Sequence, residues 1–206
     1  MAGVERMLEC MALTALALTC TLKPSPEPSS SALLASQILA ELESHGVSGS
    51  ALRVVDFDVK PGVEKDMGDG DEWPHIRSQV LAADILVIVS PTWMGQITSV
   101  GQRVLERLDA ELSEDGTLLN KVAIVGVVGN EDGAHHIHAQ MFQALNDVGF
   151  TIPSQGGTYW NGEAMHTTDY IDLKKTPDET AAATKTAAAN AAHLAGLLAA
   201  ASYPKE

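Results

Sequence analysis

Hydrophobic residues are grouped along this chain into short apolar runs that alternate with segments of helical spacing. The two most uniform runs are residues 85–89 and 122–128, which are rich in Val and Ile and too short for buried helices. Such runs are typical of strands covered on both faces of a parallel sheet. Three further strands are predicted over residues 13–19, 52–57 and 150–153.

Helices are predicted between these strands, because apolar side chains recur there every three or four residues. The predicted helices cover residues 31–44, 74–83, 100–112 and 137–148, and a closing alanine-rich helix has Ala187, Ala191, Leu194 and Leu198 in register. Residues 58–73, rich in Gly, Asp and Pro, are expected to form a mobile or lid-like loop. Residues 154–178 are expected to be irregular.

Strands that alternate with helices predict an α/β fold with a parallel sheet and right-handed crossovers. Two strand orders fit this pattern, the dinucleotide-binding order and the flavodoxin-like order 2-1-3-4-5. Neither G-x-G-x-x-G after the first strand nor a P-loop motif occurs, which favours a flavodoxin-like three-layer sandwich with a five-stranded parallel sheet. We expect one domain over residues 13–201, with a loose leader over 1–12 and a tail over 202–206.

The flavodoxin-like order places the loops after strands 1, 3 and 4 around one crevice, where open α/β sheets bind their ligands. The net charge of −14 argues against nucleic acid and an anionic membrane surface as partners. Because cations are few, a phosphate ligand would be held mainly by backbone N–H groups and hydroxyls.

The cellular location is inferred from the cysteines and the N-terminal segment. Cys10 and Cys20 form no C-x-x-C motif and suggest a reducing compartment without disulfides. The apolar residues 11–20 follow acidic residues, precede no signal cleavage site, and are too few to span a bilayer. We therefore expect a cytoplasmic protein.

Three loops carry the candidate chemistry. The first contains residues 21–23 and the serines 29–31, the second reads Ser-Pro-Thr-Trp-Met-Gly over 90–95, and the third reads Gly-Asn-Glu-Asp-Gly over 129–133. In order and spacing they resemble the flavodoxin-like NAD(P)H-dependent FMN reductases, whose second loop often reads S-P-x-Y-x-G. The chain differs from that family at Cys20, where a glycine is common, and at Lys23, where an arginine is common.

The resemblance implies FMN as cofactor, NADPH or NADH as reductant, and a quinone, flavin or other small electron acceptor as substrate. The implied residues at the phosphate are Thr21, Lys23, Ser29, Ser30 and Ser31. The implied residues around the ring are Pro91, Thr92, Trp93, Met94 and Gly95, with Gly129, Asn130 and Gly133 on the other side. No catalytic side chain is expected, because the flavin carries the hydride chemistry. The resemblance also implies a homodimer or homotetramer.

Each of these features has a plainer explanation. Residues 29–31 would cap a helix, Trp93 would pack beneath its loop, and residues 129–133 would form an ordinary turn between a strand and a helix. His135 and His138 would share a helix face, but no further ligand at helical spacing completes a metal site, so none is expected. The segment with Tyr159 and Trp160 would close over the flavin or pack on a second subunit.

Two other functions are compatible with the sequence. One is a flavodoxin-type FMN electron carrier without nicotinamide activity, because an acidic surface suits docking on a basic partner. Flavodoxins usually have a T-x-T-G-x-T phosphate loop, however, and residues 19–24 match only its beginning. The other is a flavin-free interaction module of the same fold, which the long first loop with Pro24, Pro26 and Pro28 leaves open.

Overall fold

The structure, a computed structural model, describes residues 12–113, 117–163 and 165–204. Within these ranges there are six strands: β1 (Thr14–Thr19), β2 (Ser48–Arg53), β3 (Ile85–Trp93), β4 (Gln96–Ile97), β5 (Val122–Gly129) and β6 (Gly157–Asn161). The helices are α1 (Ser30–Ser44), α2 (Trp73–Ala82), α3 (Ser99–Leu108), α4 (Ala134–Asp147) and α5 (Asp178–Ala200). The predicted leader lies outside the described residues except for residue 12.

The main sheet is parallel and has the order β2-β1-β3-β5-β6. The short β4 pairs antiparallel with the end of β3 and lies off this path. With β4 set aside, this is the predicted order 2-1-3-4-5, and the flavodoxin-like fold is confirmed.

Both faces of the sheet are buried, because each apolar strand supplies side chains to two cores. On β3, Leu86 and Ile88 face the core under α2, α3 and α4. Ile85, Val87 and Val89 face the opposite core under α1 and α5. The alternation of side chains along a strand therefore explains why the central strands have no polar face.

Two strands are shifted from their predicted positions. The prediction of a strand over 52–57 is wrong at both ends: β2 begins at Ser48, and Val54–Asp56 forms a 3₁₀ helix. β2 is an edge strand that begins with exposed Ser48, Gly49 and Ser50, so apolar runs, which mark burial, do not reveal it.

The prediction of a fifth strand over 150–153 is also wrong. Within that segment Thr151 makes an isolated bridge with Val122, and Pro153, which has no N–H to donate, is followed by a turn. Pairing resumes at Gly157, where β6 runs beside β5 in a segment that was expected to be irregular. The carboxyl end of this side of the sheet is therefore formed by β6.

Two other boundaries differ. The helix predicted over 100–112 ends at Leu108 and continues as a 3₁₀ helix over Asp109–Ser113. The predicted loop 90–95 is in part a strand, because β3 extends to Trp93 and a two-residue turn leads into β4.

The first residues of the predicted tail contact the domain, since the N–H of Tyr203 donates to Asn120 Oδ1 at 2.9 Å.

The loop over 58–73 is fastened by a buried ion pair rather than shaped as a lid. Arg107 on α3 donates two hydrogen bonds to the Asp71 carboxylate, at 2.7 and 3.0 Å, and both side chains are fully buried. The same guanidinium donates to the carbonyls of Lys60 and Glu64 and lies 5.5 Å from the ring centre of Trp73. One side chain thus holds three points of the loop.

The carboxylate of Asp71 completes this arrangement. Burial raises its pKa, but the hydrogen bonds from Arg107 and from the backbone N–H groups of Met67, Lys60 and Trp73 outweigh burial, so the pKa lies well below its usual range. Asp71 is therefore ionised in the folded protein at neutral pH, and protonating it in acid weakens the fold.

We predict that Arg107→Met lowers the free energy of unfolding by about 3–5 kcal/mol, because it leaves a buried carboxylate unpaired. Urea unfolding followed by circular dichroism measures this loss. The matched control is Arg103→Met on the same helix, since Arg103 donates to one carbonyl, that of Val59, at 3.0 Å. The control should lose only about 1 kcal/mol. Equal losses in the two variants would contradict the role given to the ion pair.

Candidate functional site

The carboxyl ends of β1, β3 and β5 open into one pocket of about 290 Å³. Its walls come from the first loop with the N-terminus of α1 (residues 21–31), the end of β3, the third loop (residues 129–133), the end of β6 and a segment that we call the strap (residues 167–177). This edge of the sheet is where the predicted crevice was expected.

Most of the predicted site residues line this pocket: Thr21, Lys23, Ser29, Ser30, Ser31, Pro91, Thr92, Trp93, Gly129 and Asn130. The structure thus brings the three predicted loops together, although contact of these residues with a ligand stays a prediction. Among the described residues that line the pocket, Lys23 is the one cation, whereas Glu131 and Asp169 are carboxylates.

Met94, Gly95 and Gly133 do not line the pocket, contrary to expectation. Met94 and Gly95 form the turn between β3 and β4, with φ of 52° and 72°, and the Met94 side chain is exposed. Such a pair of positive φ angles is the geometry of a tight hairpin turn. A Cβ on Gly133 would lie 2.8 Å from the Cα of Gly95, so these glycines let the two loops touch outside the pocket.

One end of the pocket lies at the N-terminus of α1, and the other lies at Trp93. The hydroxyl of Ser29 caps this helix and accepts a hydrogen bond from the N–H of Ala32 at 3.3 Å, which confirms the plainer explanation for Ser29. Ser30 and Ser31 also line the pocket beside it. N–H groups in the first turn of a helix, together with hydroxyls, make a favourable environment for an anion.

The long first loop is held in place from β2. Nη1 of Arg53 donates to the carbonyls of Lys23, Pro24 and Glu27 at 2.8–3.1 Å. The carboxylate of Asp56 accepts from Ser25, through the backbone N–H at 2.7 Å and the hydroxyl at 2.6 Å.

These bonds from Ser25 hold the pKa of Asp56 below its usual value. Contacts from the end of β2 and from the 3₁₀ helix that follows it therefore hold the proline-containing loop in one conformation, which its own sequence does not specify.

The hairpin after β3 and the third loop are joined by polar contacts. Glu131 Oε1 accepts a hydrogen bond from the N–H of Met94 at 2.6 Å, and the His136 ring nitrogen Nε2 lies 2.9 Å from Gln96 Oε1. Together with the close approach of Gly95 and Gly133, these contacts fix where β3 turns.

The end of β3 presents two contrasting side chains. Trp93 lines the pocket and is 52% exposed, so the explanation that it packs beneath its loop is wrong. Thr92 is 6% exposed, and its Oγ1 is buried with no hydrogen-bond partner among the described residues. Buried hydroxyls are normally hydrogen-bonded, so this atom is suited to contact a ligand.

Several lining residues were not predicted as site residues: Leu22, Val128, Glu131, Trp160, Thr167, Asp169 and Tyr170. Trp160, which the sequence offers as a cover for the ligand, lines the pocket at the end of β6. Its neighbour Tyr159 lies edge-on to the rings of His135 and His138 on α4 instead. Alternation along β6 explains why neighbouring aromatic rings point to opposite faces.

The strap forms the outer wall through contacts with α1. The hydroxyl of the buried Tyr170 donates to Gln37 Oε1 at 2.6 Å, and burial raises the pKa of Tyr170, so the phenol stays neutral. Gln37 Nε2 in turn donates to Thr176 Oγ1 at 2.8 Å, and the N–H of Ile171 donates to Ser30 Oγ at 3.2 Å.

Asp169 extends the strap toward the third loop, since the amide of Asn130 donates to its carboxylate at 3.0 Å. The ring of Trp160 lies 5.5 Å from that of Tyr170. Residues of an irregular segment show no hydrophobic periodicity, so the sequence does not predict that Thr167, Asp169 and Tyr170 line the pocket.

Comparison with known proteins places this architecture in a family. A family model described as NADPH-dependent FMN reductase matches residues 15–166. The chain belongs to the NADPH-dependent FMN reductase family. Membership supports a flavin-related oxidoreductase activity, and the resemblance seen in the loops is confirmed. Thr167, Asp169 and Tyr170 lie beyond the matched residues, so the strap falls outside the segment that the family model matches.

Two flavin-related proteins are similar over most of this FMN reductase homologue. The 8-demethyl-8-aminoriboflavin-5'-phosphate synthase of Streptomyces davaonensis is 35% identical over 178 residues, which are 80% of this chain and 69% of the synthase. The crystal structure of RosB with bound 8-demethyl-8-formylriboflavin-5'-phosphate has a TM-score of 0.85 and 33% identity. That match covers 93% of this chain and 82% of RosB.

A third similar protein is the divalent metal cation transporter MntH of Mycobacterium bovis, which is 40% identical over 169 residues. The match covers 78% of this chain, and the chain spans a quarter of the transporter's length (25%). Among the described residues of the FMN reductase homologue, no helix has the length and apolar character to span a membrane.

The histidines on α4 are packed among aromatic rings. His138 is buried and stacks on Phe142 at 5.3 Å between ring centres, and its Nε2 has no partner among the described residues. Within the described ranges no group of three or more His, Cys, Asp or Glu residues forms a potential metal site. Burial lowers the pKa of His138 to about 4, against an ordinary value of 6.5.

We predict that this histidine makes the fold of the FMN reductase homologue acid-sensitive. Between pH 6.5 and pH 4 the unfolded chain binds a proton at residue 138 that the folded chain does not, so the free energy of unfolding falls as pH falls. The loss attributable to His138 is at most about 3 kcal/mol. Urea unfolding at pH 7 and pH 4.5 measures it, with His138→Gln as the comparison. An identical pH dependence in wild type and variant would contradict the prediction.

Proposed function

We propose that the chain binds FMN in the pocket and uses NADPH or NADH to reduce a quinone, a flavin or another small electron acceptor. The observation that carries this proposal is that one pocket joins an anion-binding end at the N-terminus of α1 to an aromatic end at Trp93. FMN has the same two parts, a phosphate and a planar ring, joined by a chain of hydroxyls.

The phosphate end fits a ligand dianion even though the protein carries a net charge of −14. The N–H groups in the first turn of α1 point toward this end, and the hydroxyls of Thr21, Ser29 and Ser31 lie around it. Lys23 adds one positive charge at the rim. Because neutral donors are built into the backbone, they bind a phosphate without an arginine.

The ring end fits a flavin through one aromatic face and several polar groups. Trp93 offers a partly exposed indole, and Thr92 offers a buried hydroxyl with no described partner. Pro91 and Gly129 bring backbone close to the same space. In this proposal the strap and Trp160 shield the opposite side from water.

The chemistry of hydride transfer is supplied by the flavin when it is bound. The residues of this chain bind the phosphate, orient the ring against Trp93 and leave part of the pocket open to a second reactant. The two lining carboxylates, Glu131 and Asp169, are held by the Met94 N–H and the Asn130 amide, so each has a defined position. No acid–base triad is required of the protein under this proposal.

A second candidate function uses a riboflavin phosphate as substrate rather than as cofactor. It is favoured by the 35% identity to a synthase of 8-demethyl-8-aminoriboflavin-5'-phosphate and by the likeness to RosB with a bound riboflavin phosphate derivative. The same pocket would bind the flavin in both cases. The two functions differ in whether the flavin leaves unchanged, which mass spectrometry of the flavin after turnover decides.

We also propose that the protein is cytoplasmic and forms a homodimer or homotetramer. Exposed apolar side chains near the mouth of the pocket support self-association: Leu22 is 45%, Trp93 52% and Met94 87% exposed. Clusters of exposed apolar side chains are typical of interaction surfaces. Sedimentation velocity of the purified protein measures the oligomeric state.

We predict that protein incubated with FMN and desalted keeps flavin absorbance, and that NADPH or NADH bleaches it in the absence of oxygen. Anaerobic visible spectroscopy measures both steps, with a quinone then added to restore the absorbance. Retained absorbance that neither nicotinamide bleaches would favour an electron carrier. If no flavin is retained, the proposal fails and a flavin-free module of this fold is favoured.

We predict that Trp93→Asp weakens FMN binding by tenfold or more, because it removes an aromatic contact worth about 1 kcal/mol and places a charge beside the ring. Fluorescence quenching of FMN during titration with protein measures the dissociation constant. The matched control is Trp93→Phe, which keeps an aromatic face and should bind within about threefold of wild type. Unchanged affinity in Trp93→Asp would contradict the location of the ring.

A further inference from the structure

The two carboxylates that line the pocket are bonded to the loops at its ring end. Glu131 Oε1 accepts a hydrogen bond at 2.6 Å from the N–H of Met94, in the hairpin after β3. Asp169 Oδ1 accepts one at 3.0 Å from the side-chain amide of Asn130, in the third loop. Lys23, the one cation among the described lining residues, belongs to the first loop at the phosphate end. The pocket therefore has its positive charge at one end and its negative charges at the other.

The position of Asp169 is fixed by packing on both sides of the contact. The N–H of Gly162 at the end of β6 donates to the carbonyl of Gly129 at 2.7 Å. A Cβ on Gly162 would lie 2.7 Å from the Cα of Asn130, so β6 packs tightly on the third loop. On the strap, the buried Tyr170 is hydrogen-bonded to α1. Asp169 is thus held between a packed loop and an anchored ring.

Hydrogen bonds from neutral donors leave the negative charge of a carboxylate uncompensated. The donors to Glu131 and Asp169 are a backbone N–H and a side-chain amide, and neither carries a positive charge. Both carboxylates belong to half-buried residues, so water and salt screen them less than they screen fully exposed groups. A negative potential therefore extends into the ring end of the pocket.

This distribution of charge acts differently on FMN and on a second reactant. The oxidised flavin ring is uncharged, and the phosphate dianion is attracted to the opposite end of the pocket. A second reactant has to approach the ring itself, so a negative group on that reactant would come close to the two carboxylates. The nicotinamide ring of NADH and a simple quinone are uncharged there, whereas a sulfonated quinone is an anion.

We propose that Asp169, together with Glu131, makes the pocket select uncharged electron acceptors over anionic ones. This inference rests on the proposed function and narrows its substrate class to neutral quinones and other uncharged rings. The selection arises from repulsion of the anionic compound rather than from an added contact with the neutral one. Asp169 lies beyond residue 166, where the match to the family model ends.

The test compares naphthoquinone with naphthoquinone sulfonate as acceptors for the FMN-loaded protein, with the nicotinamide that bleaches the bound flavin as reductant. The nicotinamide gives up a hydride, and the quinone gains that hydride and a proton to become a hydroquinone. The preference is the ratio of kcat/KM for the neutral quinone to kcat/KM for the anionic one. Comparing this ratio between variants cancels the intrinsic difference in reactivity of the two compounds.

Asp169→Asn removes one charge and keeps an oxygen that can accept from Asn130. The preference should fall about three- to fivefold relative to wild type, as expected for one partly screened charge. The matched control is Asp172→Asn, because Asp172 is exposed on the same strap and does not line the pocket. It changes the net charge of the protein by the same amount and should leave the preference unchanged.

Two further measurements separate an effect of charge from an effect of shape. The change in Asp169→Asn should shrink when sodium chloride is raised from about 0.02 M to about 0.5 M, because salt screens charges. Binding without turnover is measured with naphthalene sulfonate and naphthamide, an anionic and a neutral compound, through the absorption of the bound flavin. Asp169→Asn should strengthen the binding of naphthalene sulfonate about three- to fivefold relative to that of naphthamide.

Three outcomes would overturn the inference and one the proposed function. An unchanged preference in Asp169→Asn would show that its charge does not act on the acceptor, while reduction of the neutral quinone by wild type would leave the proposed function intact. An equal fall in Asp169→Asn and Asp172→Asn would assign the effect to net charge. A fall that persists at high salt would assign it to shape. Absence of FMN retention and of quinone reduction in the wild type would overturn the proposed function itself.

Discussion

The parallel pairing of β1, β3 and β5 sets the positions of the sheet edge, of the loops that leave it and of the pocket between them. Both faces of these strands are buried, so their register and direction are set by two cores at once. Parallel strands that share a register end at the same edge, and the loops that follow them must leave the sheet side by side. The pocket exists because three such loops meet there with no strand between them.

Several charged side chains of this protein hold loops in place through hydrogen bonds. Arg53 holds the first loop through three carbonyls, Arg107 holds the loop over 58–73 through a buried carboxylate, and Glu131 holds the hairpin after β3. With Arg53 and Arg107 engaged elsewhere, the phosphate end that we propose would depend mainly on N–H groups and hydroxyls, with Lys23 as the one cation among the described lining residues. An acidic member of the NADPH-dependent FMN reductase family can thus present a site for an anion.

The strap gives the pocket a wall that lies outside the segment matched by the family model. Tyr170 and Gln37 tie it to α1, and Asp169 faces the third loop through Asn130. The end of β3 therefore lies inside the segment that the family model matches, whereas the strap lies beyond it.

The amino-acid pattern predicted the class of fold, the strand order and most of the residues around the pocket, because β-branched runs indicate burial on both faces and the carboxyl ends of such strands mark the crevice. The edge strands and the outer wall of the pocket, by contrast, depend on tertiary contacts. β2 begins with small polar residues, and β6 follows a turn at Pro153, so their pairing depends on neighbours far away in sequence. The roles of Arg107, Tyr170 and Gly129 were likewise decided by the groups that folding brings within a few ångströms of them, which no local pattern records.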